Sequence, residues 1–188
     1  MSFAREWDAE VLERPPLIAP ARQFVYPRQV AGEEETLARG ALLLRVRPAT
    51  GGEFLGTCAR GFVDARMPTG VYGCPNAREM CAVAGGYAYI VDTGVPEKCV
   101  QIPLRPVVEM VTLVEYSLLV FVGFHSIVAW GPDGLAWESA RLSSEGIRVT
   151  AVEGGELRGF GWDLQTDKEV GFALDLKTGK LRSEAFGG

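Results

Sequence analysis

From Gly40 onward, apolar and polar positions alternate in short runs and show no helical period. Ala41–Arg47 (ALLLRVR) sets Leu42, Leu44 and Val46 on one face and Arg45 and Arg47 on the other, the two-residue repeat of a half-buried strand. The segment from Pro48 to Gly52 then reads as a turn and Glu53–Ala59 as the returning strand, which predicts a hairpin. Tyr87–Asp92, Leu118–Trp130, Ile147–Val152, Leu157–Trp162 and Val170–Leu176 follow as β-branched or aromatic runs bounded by Gly, Asp and Pro. The pattern predicts an all-β chain of antiparallel hairpins. It forms a sandwich or half-open barrel, with three or four propeller-like blades as the alternative.

Residues 1–37 read differently. Pro15, Pro16, Pro20 and Pro27 exclude a long helix or a central strand, because proline has no N–H to donate to either ladder. The expectation is a short helix near Ala4–Leu12 followed by an extended arm. Its apolar residues Trp7, Val11, Leu12, Leu17, Ile18, Phe24, Val25 and Tyr26 should pack down on the body, and the acidic run Glu33, Glu34, Glu35 should be a solvated loop. The expected division is a Pro-rich arm over 1–37 and a single antiparallel β domain over 38–188, in keeping with a chain of 188 residues.

Composition narrows the function classes. With 47% apolar and 23% charged residues the chain is neither disordered nor fibrous. A net charge of −5 argues against nucleic acid or an anionic membrane as partner, since phosphate binding needs clustered cationic excess. Met1–Glu13 carries Arg5, Glu6, Asp8, Glu10 and Glu13 and no apolar core of the kind a secretory signal needs. The longest strongly apolar run, Tyr116–Phe124, falls far short of the ~20 residues of a spanning helix. A cytoplasmic location with no membrane partner is the expectation. Cys58, Cys74, Cys81 and Cys99 contain no C-x-x-C pair, so they read as buried apolar thiols and not as a zinc site, and a reducing compartment disfavours a Cys74–Cys81 disulfide. No metal is expected.

Three segments share an apolar strand that ends at a glycine-bearing turn. They are Tyr89–Gly94, Ile127–Trp137 and Phe172–Arg182, with Gly94, Gly134 and Gly179 standing 40 and 45 residues apart. That spacing suits four-stranded propeller blades. Ala173-Leu-Asp-Leu-Lys-Thr-Gly-Lys180 resembles the A-L-D-x-x-T-G-K turn of pyrroloquinoline quinone-type propeller repeats, and Asp133-Gly-Leu-Ala-Trp137 resembles its D-G-x-x-W variant. The resemblance spans residues 84–186 and implies blades. Because residues that would hold the quinone have no counterpart in this chain, it implies no cofactor.

Residues able to carry chemistry are few. Arg66–Met80 is the longest stretch of the β region without periodicity, and it gathers Arg66, Tyr72, Asn76, Arg78 and Glu79, a mixture suited to binding a ligand or a protein from a rigid scaffold. His125, the one histidine, lies in an apolar run beside Ser126, but neighbours on a strand point to opposite faces, so the two cannot act as nucleophile and base. Asp92, Asp133, Asp163 and Asp175 sit in or beside hairpin turns, where backbone bonding accounts for them. The reading is a non-enzymatic module that binds another protein or itself as a homodimer, since an open sheet edge must be covered. The alternative is a small-molecule binder or hydrolase built on the 66–80 loop and His125.

Overall fold

The computed structural model describes residues 2–28 and 35–182; Glu33 and Glu34 of the acidic run lie outside them, and Glu35 is exposed. Among the described residues are fifteen strands and one 3-10 turn, an all-β chain. None of its four sheets closes into a barrel. Among the described residues no helix is long and apolar enough to cross a membrane. The residues fall into two compact units, Met1–Val107 and Val108–Gly188, where the sequence suggested one body from residue 38 on.

The first unit holds two sheets. In one, β1 (Trp7–Leu12), β3 (Ala41–Pro48), β4 (Phe54–Ala59) and β2 (Arg22–Tyr26) lie in the order β1-β3-β4-β2. The expected hairpin is β3 and β4, paired antiparallel with Leu44 opposite Gly56. The short helix expected near Ala4–Leu12 is instead β1. Its Asp8 and Glu10 meet Arg47 and Arg45 of β3 at 3.3 and 3.4 Å, cross-strand charge pairs available only to an extended segment. The second sheet is a meander of β5 (Gly70–Gly73), β6 (Glu79–Ala84), β7 (Tyr87–Asp92) and β8 (Cys99–Gln101). Leu42, Leu44, Val46 and Phe54 of the first sheet share one core with Met80, Ala82, Tyr89 and Val91 of the second. The Tyr89 hydroxyl fixes their separation by donating to the Ala59 carbonyl at 2.9 Å.

Gly85 and Gly86 join β6 to β7 with φ of +55° and +79°, the backbone that a two-residue turn matching the strand twist requires. A Cβ on Gly85 would stand 2.3 Å from the Phe62 carbonyl oxygen.

The second unit repeats the two-sheet plan. A meander of β9 (Glu109–Leu113), β10 (Leu118–Val122), β11 (Ile127–Gly131) and β12 (Gly134–Glu138) forms one sheet. β13 (Ile147–Glu153), β14 (Glu156–Asp163) and β15 (Lys168–Asp175) form the other, and Leu181 bridges back to Leu174. Their shared core takes Val120, Val122, Ile127 and Trp137 from one side and Leu157, Phe172 and Leu174 from the other. The expected single run Leu118–Trp130 is a hairpin whose connection is Gly123–Ser126, closed by the Gly123 N–H on the Ser126 carbonyl at 3.0 Å.

Candidate functional site

His125 sits in that hairpin connection, not on a strand as the sequence suggested. Its Nδ1 lies 3.1 Å from the Ser143 carbonyl oxygen, and its own carbonyl accepts the Leu142 N–H at 2.7 Å. It belongs to the second unit, whereas Arg66, Tyr72, Asn76, Arg78 and Glu79 belong to the first.

The 66–80 segment is less of a loop than its sequence implied. Gly70–Gly73 is the edge strand β5, carrying Tyr72 opposite Cys81, and Glu79 already begins β6. A strand of four residues with glycine at both ends leaves no alternation to read. Arg66 is exposed and paired at 2.8 Å with Asp64, two residues away. Asn76 closes the turn by accepting the Arg78 N–H on its side chain and the Glu79 N–H on its carbonyl. The Arg78 guanidinium meets Asp92 at 2.7 Å, and the Glu79 carbonyl accepts the Trp7 indole N–H at 3.0 Å. Partial burial pushes the Asp92 carboxyl up, but the Arg78 hydrogen bond and the Gly94 and Val95 N–H groups outweigh it and hold it below the ordinary carboxylate range. Arg66 thus pairs beside the segment, Asn76 bonds within it and Arg78 reaches Asp92 of β7, the usual duty of Asx turns and exposed pairs.

The more distinctive surface lies in the N-terminal stretch. The prolines keep residues 13–21 out of a strand between β1 and β2. At the middle of that connection Leu17 is 106% and Ile18 88% exposed. This corrects the expectation that every apolar residue of the stretch packs down: Trp7 and Tyr26 do so, at 7% and 3% exposure, but Leu17 and Ile18 do not.

A cleft of about 540 Å³ opens beside β2, its apolar part formed by Phe24, Val25, Tyr26 and Pro27 with Pro96 and Cys99, and its polar part by Gln23, Arg28, Glu97 and Gln101. Phe24 and Tyr26, two apart on one strand and so on one face, stack with ring centroids 6.5 Å apart. Phe54 meets the Phe24 ring edge-on at 5.5 Å. The Tyr26 hydroxyl donates to the Pro96 carbonyl at 2.8 Å, tying the two walls together.

A second cleft of about 500 Å³ adjoins it, sharing Pro27, Arg28 and Gln101. Its walls carry Arg28, Arg39, Arg60 and Arg105 with Thr36, Glu35 and Tyr87. Neither cleft stood out in the sequence, because their residues come from separated segments with no common motif.

All four cysteines are free thiols, three buried and Cys99 partly so. Among the described residues no three side chains gather as metal ligands. Burial pushes the Cys99 thiol up to about 12 and raises those of Cys58, Cys74 and Cys81 as well. Only the thiolate is nucleophilic, and at pH 8 a thiol of that pKa holds roughly one part in 10⁴ as thiolate. A chromogenic disulfide reagent at pH 8 should therefore label the native protein very slowly and all four thiols at once after denaturation. Rapid native labelling of Cys99 would contradict this environment.

Against known proteins, the chain matches no family model, no curated protein and no solved structure.

Proposed function

We propose that the chain is a protein-interaction module that assembles with a second copy of itself, the Leu17–Ile18 loop of each copy seating in the apolar part of that cleft in the other. The observation that carries this reading is the near-complete exposure of two adjacent large aliphatic side chains, Leu17 and Ile18, on a loop braced by Pro15, Pro16 and Pro20. Leaving both in water forgoes about 1.5–3 kcal/mol each that burial would supply. A proline-braced loop also loses less entropy when it docks.

A second copy fits as occupant because the same unit carries a cleft of matching chemistry, walled by Phe24, Val25, Tyr26 and Pro96. Charges of both signs flank the loop, Glu13 and Arg14, and both signs line the cleft, Arg28 and Glu97. A reciprocal exchange around a two-fold axis uses each surface once and closes at two copies. Four docked aliphatic side chains set against the cost of association give an expected dissociation constant on the order of micromolar.

Sedimentation velocity over a concentration series tests the reading. Wild-type protein should pass from monomer to dimer as its concentration rises through about 1 to 100 µM. Leu17→Asp/Ile18→Asp protein should remain monomeric with an unchanged melting temperature, since both sites are exposed. A wild-type protein monomeric throughout, or a double variant that dimerises equally well, would overturn it.

A further inference from the structure

We propose that the arginine-lined cleft of the first unit binds a small phosphate-bearing anion. Arg28, Arg39, Arg60 and Arg105 all line one cavity of about 500 Å³, in a chain whose overall charge is −5. Among the described residues none of the four forms an ion pair with a carboxylate, whereas Arg45, Arg47, Arg66, Arg78, Arg148, Arg158 and Arg182 all do. Among the described residues Glu35 is the one carboxylate on the cleft walls, and Glu97 lines the neighbouring cleft. A cavity with this surplus attracts a di- or trianion.

Two residues of the cleft wall also keep a polar atom without a partner inside the protein. The Nε of Arg60 and the hydroxyl oxygen of Thr36 are both buried without a hydrogen-bond partner, and both residues line this cleft. Buried polar groups are nearly always paired, and a guanidinium N–H left unmet is the costlier kind of exception.

Two of the remaining arginines are already aimed. Arg105 lies over the Tyr87 ring, 5.4 Å from its centroid, and donates to the Gln101 side-chain oxygen at 2.9 Å. Arg39 is anchored by donating to the Gly61 carbonyl. Tyr87 is held in turn by Phe62, edge-on at 6.0 Å, and by Gly61, where a Cβ would stand 2.2 Å from the ring. Anchored guanidiniums lose little freedom on binding, and each presents a planar fork to oxygen pairs. Phosphate fits better than a single carboxylate, because one fork satisfies a carboxylate whereas a tetrahedral group offers oxygens in several directions.

The test is calorimetric titration of the full chain with pyrophosphate, inorganic phosphate and citrate, each at matched ionic strength so that diffuse attraction cancels. It is run in parallel on wild-type and Leu17→Asp/Ile18→Asp protein, so that loss of assembly and loss of anion binding are read separately. Pyrophosphate should bind saturably, and Arg60→Met and Arg105→Ala should each weaken it about tenfold or more. Should Arg60→Met not fold, Arg28→Ala, at an exposed position, carries the same expectation. Inorganic phosphate binding alone would place the ligand among free anions, and tighter pyrophosphate binding among phosphate esters and diphosphates. Absence of saturable binding, citrate binding more tightly than either phosphate, or binding indifferent to the arginine substitutions would overturn the proposal.

Discussion

Trp137→Ala is expected to lower the melting temperature by about 10 °C or more, the largest loss from any single side chain of the second unit. Trp137 is the one buried residue of β12, and it carries that strand's contribution to the core with Leu157, Phe172 and Leu174. Its indole N–H donates to the Leu176 carbonyl at 2.7 Å. Beneath the ring lies Gly179, at φ +67°, where even a Cβ would come within 2.6 Å of it. Alanine therefore leaves a ring-sized void against a backbone that already approaches as closely as it can, together with a buried carbonyl that has lost its donor. Truncations of this kind cost about 3–5 kcal/mol, and a protein of this size loses roughly 2–4 °C per kcal/mol. Trp137→Phe keeps most of the volume and loses the donor, so its cost should fall nearer 1–3 kcal/mol. Thermal unfolding followed by circular dichroism measures both. Equal small losses would mean that the ring does not support the core.

Tyr26→Ala should be nearly as damaging, about 3–5 kcal/mol, and it reaches the proposed docking cleft as well. Tyr26 is 3% exposed and belongs to the core of the first unit. It also stacks on Phe24 and holds Pro96 through its hydroxyl. Burial pushes that hydroxyl well above its ordinary pKa, so it remains a neutral donor across the working pH range. Tyr26→Phe separates the two roles. It should keep the stack and lose about 1–3 kcal/mol for the stranded Pro96 carbonyl. Denaturant unfolding of both variants gives the difference directly. Near-equal losses from Phe and Ala would assign the stabilisation to the hydroxyl and not to the ring.

The sequence exposed those parts of the fold whose physics is local. β3 and β4 carry a clear alternation, and β7 coincides with the expected run Tyr87–Asp92. β13, β14 and β15 begin and end within a few residues of their apolar runs. The Asp175 turn also behaves as its residues suggest, the side chain accepting the N–H groups of Lys177 and Thr178 at 3.0 Å. The misread elements depend on partners far along the chain. β1 has acids on one face whose arginines lie in β3, and only the pairing reveals a strand. β10 and β11 are buried on both faces, so Leu118–Trp130 shows no alternation to mark the hairpin within it.

The two clefts were harder still. Nothing in the residue types separates Leu17 and Ile18 from Trp7 and Tyr26, because apolar character does not say which side chains a turn leaves outside. Likewise Arg28, Arg39, Arg60 and Arg105 follow no motif. They are neighbours only because β2, the connection before β3, the end of β4 and the segment after β8 converge. A reading by motif falls instead on Arg66–Met80, where polar residues are dense in sequence, Arg66 pairing with Asp64 and Arg78 with Asp92.

The most direct measurement of the assembly reading is photo-crosslinking from the loop itself. A benzophenone side chain placed at position 17, irradiated at a concentration where the wild-type protein is dimeric, should give a covalent dimer. Mass mapping should place the link on residues 24–27 or 96–99 of the other copy. A monomer-only product at that concentration, or a link to the outer face of a different sheet, would contradict the claim that this loop seats in the cleft beside β2.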